Sequence, residues 1–146
     1  MNDGAKKLFL VDAYALIFKY YYAFMGRPMR SHTGMNTSIV FGFTKFLRDI
    51  QKRERPDLIG VAFDPKGGSF RKDIFPEYKA NRPATPEDII ESMPYIKRLL
   101  DAMCVPVLEV EGYEADDVIG TLAYKASARG YDVYMVTPDK DYGQLV

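Results

Sequence analysis

Four short apolar runs, separated by segments with helical periodicity, constrain the fold of this chain most strongly. They are Leu8 to Val11, Leu58 to Phe63, Val107 to Val110 and Val133 to Val136. Each is rich in β-branched or aromatic residues and apolar throughout, as a strand covered on both faces requires. The segments between them read as helices. Ala13 to Met25 is apolar and aromatic. Thr37 to Arg53 carries Val40, Phe43, Phe46, Leu47 and Ile50 at helical spacing and closes on Lys52-Arg53, where cations suit the helix dipole. Thr85-Pro86-Glu87-Asp88 opens a third helix that runs to about Met103, with Thr85 as expected N-cap and Pro86 in the first turn. The last spans about Glu114 to Arg129, stopped by Gly130. Strands alternating with helices predict an α/β fold: a parallel sheet with helices on both faces.

Composition narrows the chemistry. The 146 residues suit one domain. Asp12 and Lys19 interrupt the longest apolar stretch, so no run reaches membrane-spanning length and no membrane partner is expected. The single cysteine, Cys104, excludes an internal disulfide, and the single histidine, His32, excludes a site built from several imidazoles. Cys104 reads as a small buried hydrophobe and His32 as a solvated loop residue. Lys plus Arg and Asp plus Glu number 20 each, a net charge of zero that at first argues against a polyanionic partner. The average hides a gradient, for residues 1–82 carry 15 basic and 8 acidic side chains and residues 83–146 carry 5 and 12. One half is built to attract phosphate and the other to hold cations, or two solvated faces simply differ.

The segment from Pro65 to Pro83 fits neither strand nor helix. Connections longer than about 12–15 residues are uncommon in compact domains and are often functional. This one holds five basic and two acidic residues, interleaved with Phe70, Phe75 and Tyr78. Basic and aromatic residues on one connection suit single-stranded nucleic acid.

The carboxylates follow the strands. Asp12 and Asp64 directly follow the first and second runs, Glu114, Asp116 and Asp117 come just after the third, and Asp139 and Asp141 just after the fourth. In a parallel sheet these ends share the edge where ligands bind. Carboxylates that close repel one another, and a divalent cation removes the conflict. Oxygen ligands without His or Cys point to Mg²⁺, with Mn²⁺ as a substitute. Seven acids suit two ions better than one, the arrangement used for phosphodiester cleavage. Each acid alone has a second reading, as a helix cap or turn residue.

Taken in order, Leu10-Val11-Asp12, Val61-Ala62-Phe63-Asp64, Phe70-Arg71, Tyr78-Lys79-Ala80-Asn81-Arg82, Thr85-Pro86-Glu87-Asp88, the run from Gly112 through Glu114-Ala115-Asp116-Asp117 to Ala123, and Thr137-Pro138-Asp139-Lys140-Asp141 closely resemble the 5′-nuclease domain of bacterial DNA polymerase I. That domain is of the flap endonuclease family, whose fold is PIN-like, a Rossmann-like parallel sheet. The resemblance covers about Leu8 to Val146. It implies a structure-specific 5′ nuclease that removes 5′ flaps and RNA primers with two Mg²⁺ ions, in the cytoplasm, with a polymerase domain in the same full-length chain. It assigns Asp12, Asp64, Glu114, Asp116 and Asp117 to a first metal cluster and Asp139 and Asp141 to the start of a second. Tyr78, Lys79 and Arg82 match the helical arch, or gateway, at about 65–83, where Lys79 and Arg82 would act on the scissile phosphate. Lys19, Tyr22 and Arg71 fall where the family contacts DNA.

Three departures qualify the resemblance. Lys19 stands where members carry Arg, which keeps the charge and loses the planar fork. Ala13 stands where Gly follows the first Asp. The family's pattern continues past Asp141 into a further acidic motif and a helix–hairpin–helix-like DNA-binding element, so residues 1–146 read as the N-terminal part of the nuclease domain, with weak or no expected activity by themselves. Two alternatives accompany this reading: a fragment that binds metal and DNA without cutting, and a phosphoacceptor signalling domain. The latter would place an acid pair directly after the first strand, where Ala13-Tyr14 follow Asp12.

Overall fold

The computed structural model describes residues 4–65, 85–136 and, for the backbone, 142–145. Its elements in chain order are β1 (Lys7–Asp12), α1 (Ala13–Ala23), α2 (Ser38–Arg53), β2 (Leu58–Ala62), α3 (Glu87–Ala102), β3 (Val107–Leu108), α4 (Ala115–Ala128), β4 (Asp132–Val136) and β5 (Tyr142–Leu145). The sheet has the order β3-β2-β1-β4-β5. The first four strands are parallel, as their apolar runs predict, and β5 pairs antiparallel with β4. Register places Asp12 beside Ala62 and Val11 beside Val136, so the strands that lead into the acids end level with one another.

The pleat of β1 divides the core. Phe9 and Val11 face α1, α2 and α3 and pack with Leu16, Ile17, Ile39, Phe43, Leu47, Ile89, Ile96 and Leu100. Leu10 faces the other way and meets Ala62, Ala115, Ile119, Ala123 and Val133, the layer beneath α4. Helices therefore cover both faces, which is why the strand runs are apolar without alternation. Among the described residues, no helix is long and apolar enough to cross a membrane.

Several boundaries differ from the sequence reading. β3 keeps two residues, because it is an edge strand, and Val107 and Val110 are exposed instead of buried on two sides. α1 ends at Ala23 instead of Met25. Thr85 is not the cap of α3: that helix starts at Glu87, and the Pro86 carbonyl accepts from Ile89 and Ile90. Thr37 flanks α2 without a side-chain cap bond, its hydroxyl turning instead to the Met29 carbonyl, while the Asn36 carboxamide oxygen accepts from Ser38 N–H. Gly130 does stop α4, in the left-handed conformation at φ 89°.

Cys104 is exposed, not buried, and has φ 59° where α3 turns into β3. A side chain in that conformation costs about 1–2 kcal/mol relative to glycine, offset in part by the greater unfolded freedom of glycine. Cys104→Gly is therefore expected to stabilise the fold by about 0.5 kcal/mol or more in urea titration, and a loss of stability would contradict the strain.

Candidate metal centre

The level ends of β1 and β2 put Asp12 and Asp64 on one edge of the sheet, and α4 brings a third acid to them. Asp12 is the N-cap of α1, and its Oδ1 accepts from the Ala15 N–H at 3.3 Å. Asp64 Oδ1 accepts from Ala115 N–H at 2.7 Å, which ties the end of β2 to the first turn of α4 and sets the carboxylate against the positive end of that helix. Asp116 follows on the same turn. Burial pushes the Asp12 carboxyl above its ordinary range, and the Asp116 and Asp64 carboxylates push it further, against the opposing hydrogen bonds from Ala15 and Tyr14 N–H. Asp64 and Asp116 thus both bear on Asp12 at the predicted edge.

Glu114 and Asp117 are placed differently. They form a reciprocal capping box on α4, in which the Glu114 side chain accepts from the Asp117 N–H and Asp117 Oδ2 accepts from the Glu114 N–H at 3.0 Å. The helix-cap reading of these two acids is therefore realised. With Asp12, Asp64 and Asp117 each turned to a backbone N–H, no group of three or more acids among the described residues is closed tightly enough to coordinate one ion. Asp139, Asp141, Arg71, Tyr78, Lys79 and Arg82 lie outside the described residues.

The chemistry of the donor set fits a hard divalent cation. It is oxygen-only, partly buried and self-repelling, and a bound cation would lift the penalty that Asp12 bears when ionised.

The sequence reading missed Tyr14, Lys97 and Glu109. The Tyr14 ring meets Phe63 edge-on, and burial, followed by Asp64 and Glu109, raises its phenol. Lys97 Nζ pairs with Glu109 Oε1 at 3.0 Å and lies 5.1 Å from the centre of the Phe63 ring. The pair braces α3 against the residue before Asp64. Nothing in the local pattern marks it, since it joins residues in different elements. On α1, Tyr20 and Tyr21 pack partly into the core while Tyr22 is exposed. The Lys19 ammonium stands 5.7 Å from the ring centres of both Tyr20 and Phe46. His32 is exposed, as expected.

The raised Asp12 carboxyl has a testable sign. Asp12 is raised from its ordinary value of 3.8. Its contribution to metal-free stability is thus greatest when protonated and is lost as pH rises from that value through the raised one. Asn caps a helix as well as Asp does and cannot ionise. Asp12→Asn is expected to raise the melting temperature in EDTA, by more at pH 7 than at pH 4; a gain independent of pH would contradict the raised carboxyl.

The model of the 5′-3′ exonuclease N-terminal, resolvase-like domain matches residues 7–146. A DNA polymerase I of Chloroflexus aurantiacus is 45% identical over 139 residues, covering 95% of this chain and 15% of the relative. One from Synechocystis is 41% identical over 149 residues, covering the whole chain and 15% of the relative. The chain thus spans under a sixth of these curated relatives' length. A crystal structure of the T5 D15 protein, co-crystallised with metal ions, superposes with a TM-score of 0.61 at 25% identity, covering 92% of this chain and 49% of that one.

Proposed function

The chain belongs to the 5′-3′ exonuclease N-terminal, resolvase-like domain family, and on that premise we propose that it is the carboxylate-bearing part of a divalent-metal 5′ nuclease. The reaction is hydrolysis of phosphodiester bonds in 5′ flaps and RNA primers. The observation that carries the reading is the convergence of Asp12, Asp64 and Asp116 at the ends of β1 and β2 and the start of α4, where burial raises the Asp12 carboxyl and the other two carboxylates add to it. The metal ions in the crystals of the T5 D15 protein support a metal requirement here.

Asp12, Asp64, Glu114, Asp116 and Asp117 would hold the first of two Mg²⁺ ions, some of them through water, and Asp139 and Asp141 would serve the second. Bound, the ions would supply an activated water and charge stabilisation at the leaving oxygen. The protein's own groups do the rest. Asp64 stays aimed by the Ala115 N–H. Lys79 and Arg82, on the connection at about 65–83, neutralise charge on the phosphate. Arg71 and Tyr78 on that connection, and Lys19 and the exposed Tyr22 on α1, receive the displaced strand. A polymerase domain in the same full-length chain would fill the gap the nuclease leaves.

Cleavage of a labelled 5′-flap DNA, by this chain and by a longer polypeptide that carries it, tests the proposal. Cutting in Mg²⁺ that stops in EDTA supports it. Flap binding without cutting by either polypeptide favours the non-catalytic alternative, and cutting undiminished in EDTA overturns the metal role.

A further inference from the structure

α2 carries a row of exposed residues that neither the core nor the carboxylate edge uses. Phe41, Lys45, Arg48 and Lys52 recur at intervals of four, three and four, which places them along one line of the helix. The opposite face is full, with Ile39, Phe43, Leu47 and Ile50 buried in the core. The row is therefore the outer surface of a helix held rigidly from behind.

Its cations are not neutralised. Among the described residues, none of Lys45, Arg48 and Lys52 forms an ion pair, although Asp49 stands one turn from Lys45. Arg48 and Lys52 stand at i,i+4, where like charges destabilise a helix. Lys52 in the last turn also complements the helix dipole, but Lys45 and Arg48 in the middle turns do not.

The row also has a direction. The carbonyl of Glu54, just past the end of α2, accepts from Lys7 Nζ at the start of β1, so the Lys52 end lies at the strand starts. The other end of α2 lies near the start of α3, where Asn36 Nδ2 donates to Asp88 at 3.2 Å. The cations thus lead away from the edge that holds Asp12 and Asp64.

We infer that Lys45, Arg48 and Lys52 form a seat for the phosphate backbone of double-stranded nucleic acid, gripping the duplex beside the cleaved strand. The inference rests on the nuclease reading above. The three cations span about 10 Å at 1.5 Å per residue, the length of about three nucleotides along one strand. A rigid row of point charges with one aromatic residue at its end matches regular phosphates. Single strands are held by aromatics interleaved among the charges, and membrane surfaces by an exposed apolar face, and this row has neither.

Fluorescence anisotropy with a blunt DNA duplex in EDTA, over a series of salt concentrations, tests the seat. The Lys45→Ala/Arg48→Ala/Lys52→Ala variant is expected to flatten the log–log salt dependence of binding by about 0.9 for each cation removed. Lys125→Ala/Arg129→Ala, exposed on the last turn of α4 and at its C-cap across the sheet, is expected to keep the parental slope. A parental slope in the triple variant overturns the seat. So does a loss confined to single-stranded DNA or to vesicles containing phosphatidylserine. A parent that binds neither duplex nor flap overturns the nuclease reading and the seat together, whereas flap binding with an unchanged triple variant overturns the seat alone.

Discussion

In the longer polypeptide that carries this chain, a double Asp64→Asn/Asp116→Asn variant is expected to bind a 5′-flap DNA as tightly as the parent and to cut it in Mg²⁺ about 10³-fold more slowly, the scale on which preorganised charge-stabilising groups act. The two substitutions remove charge with little change of shape. A carboxamide at position 64 keeps an oxygen to accept the Ala115 N–H, so the tie between β2 and α4 survives. Residue 116 lies in the first turn of α4, where the Glu114–Asp117 capping box holds the helix start without it. The cations expected to meet DNA are untouched.

The same variant makes a second, opposite prediction. Removing two carboxylates that push Asp12 upward relieves the metal-free protein, so its melting temperature in EDTA is expected to rise while its stabilisation by added Mg²⁺ falls. Loss of cutting together with loss of stability would point to misfolding and count against the metal roles. Unchanged cutting would remove Asp64 and Asp116 from the site.

How far this arrangement could be read from the sequence depends on the range of the interaction. Asp12 was legible because its position follows from β1 alone: a continuous apolar run, then an acid where the strand must stop. The Glu114–Asp117 box was half legible, because a reciprocal cap needs only a spacing of three. The bond from Ala115 to Asp64 was not, for it joins residues 51 apart and exists only once α4 packs across β1 and β2. The Lys97–Glu109 brace fails to show for the same reason. β3 was overread because four apolar residues look alike in a central and an edge strand, and only the sheet order decides which are covered. β5 escaped because Tyr142–Leu145 is short and interrupted by Gly143, and pairing with β4 defines it.

Gly42→Ala and Gly120→Ala are expected to move stability in opposite directions, although both add one methyl group inside a helix. In an open helix the change is favourable by about 0.5–1 kcal/mol, because glycine loses more backbone freedom on folding. Gly120 on α4 is such a site: it is exposed, and a Cβ there would meet nothing within 4 Å. Gly42 on α2 is not. A Cβ there would lie 2.5 Å from Tyr20 Cγ and 2.8 Å from Cε1, so the whole ring of Tyr20 would have to move. That ring packs against the core and lies beneath the Lys19 ammonium, which also faces Phe46 one turn beyond Gly42. Overpacking of this kind costs about 1–3 kcal/mol, which exceeds the helical gain. Gly42→Ala is therefore expected to lower the melting temperature by about 2–4 °C for a net loss near 1 kcal/mol, while Gly120→Ala raises it. The displaced ring would also shift Lys19, so the Gly42 variant is expected to weaken flap binding and the Gly120 variant to leave it alone. Two stabilising substitutions would mean that α1 and α2 do not approach as closely as Gly42 permits.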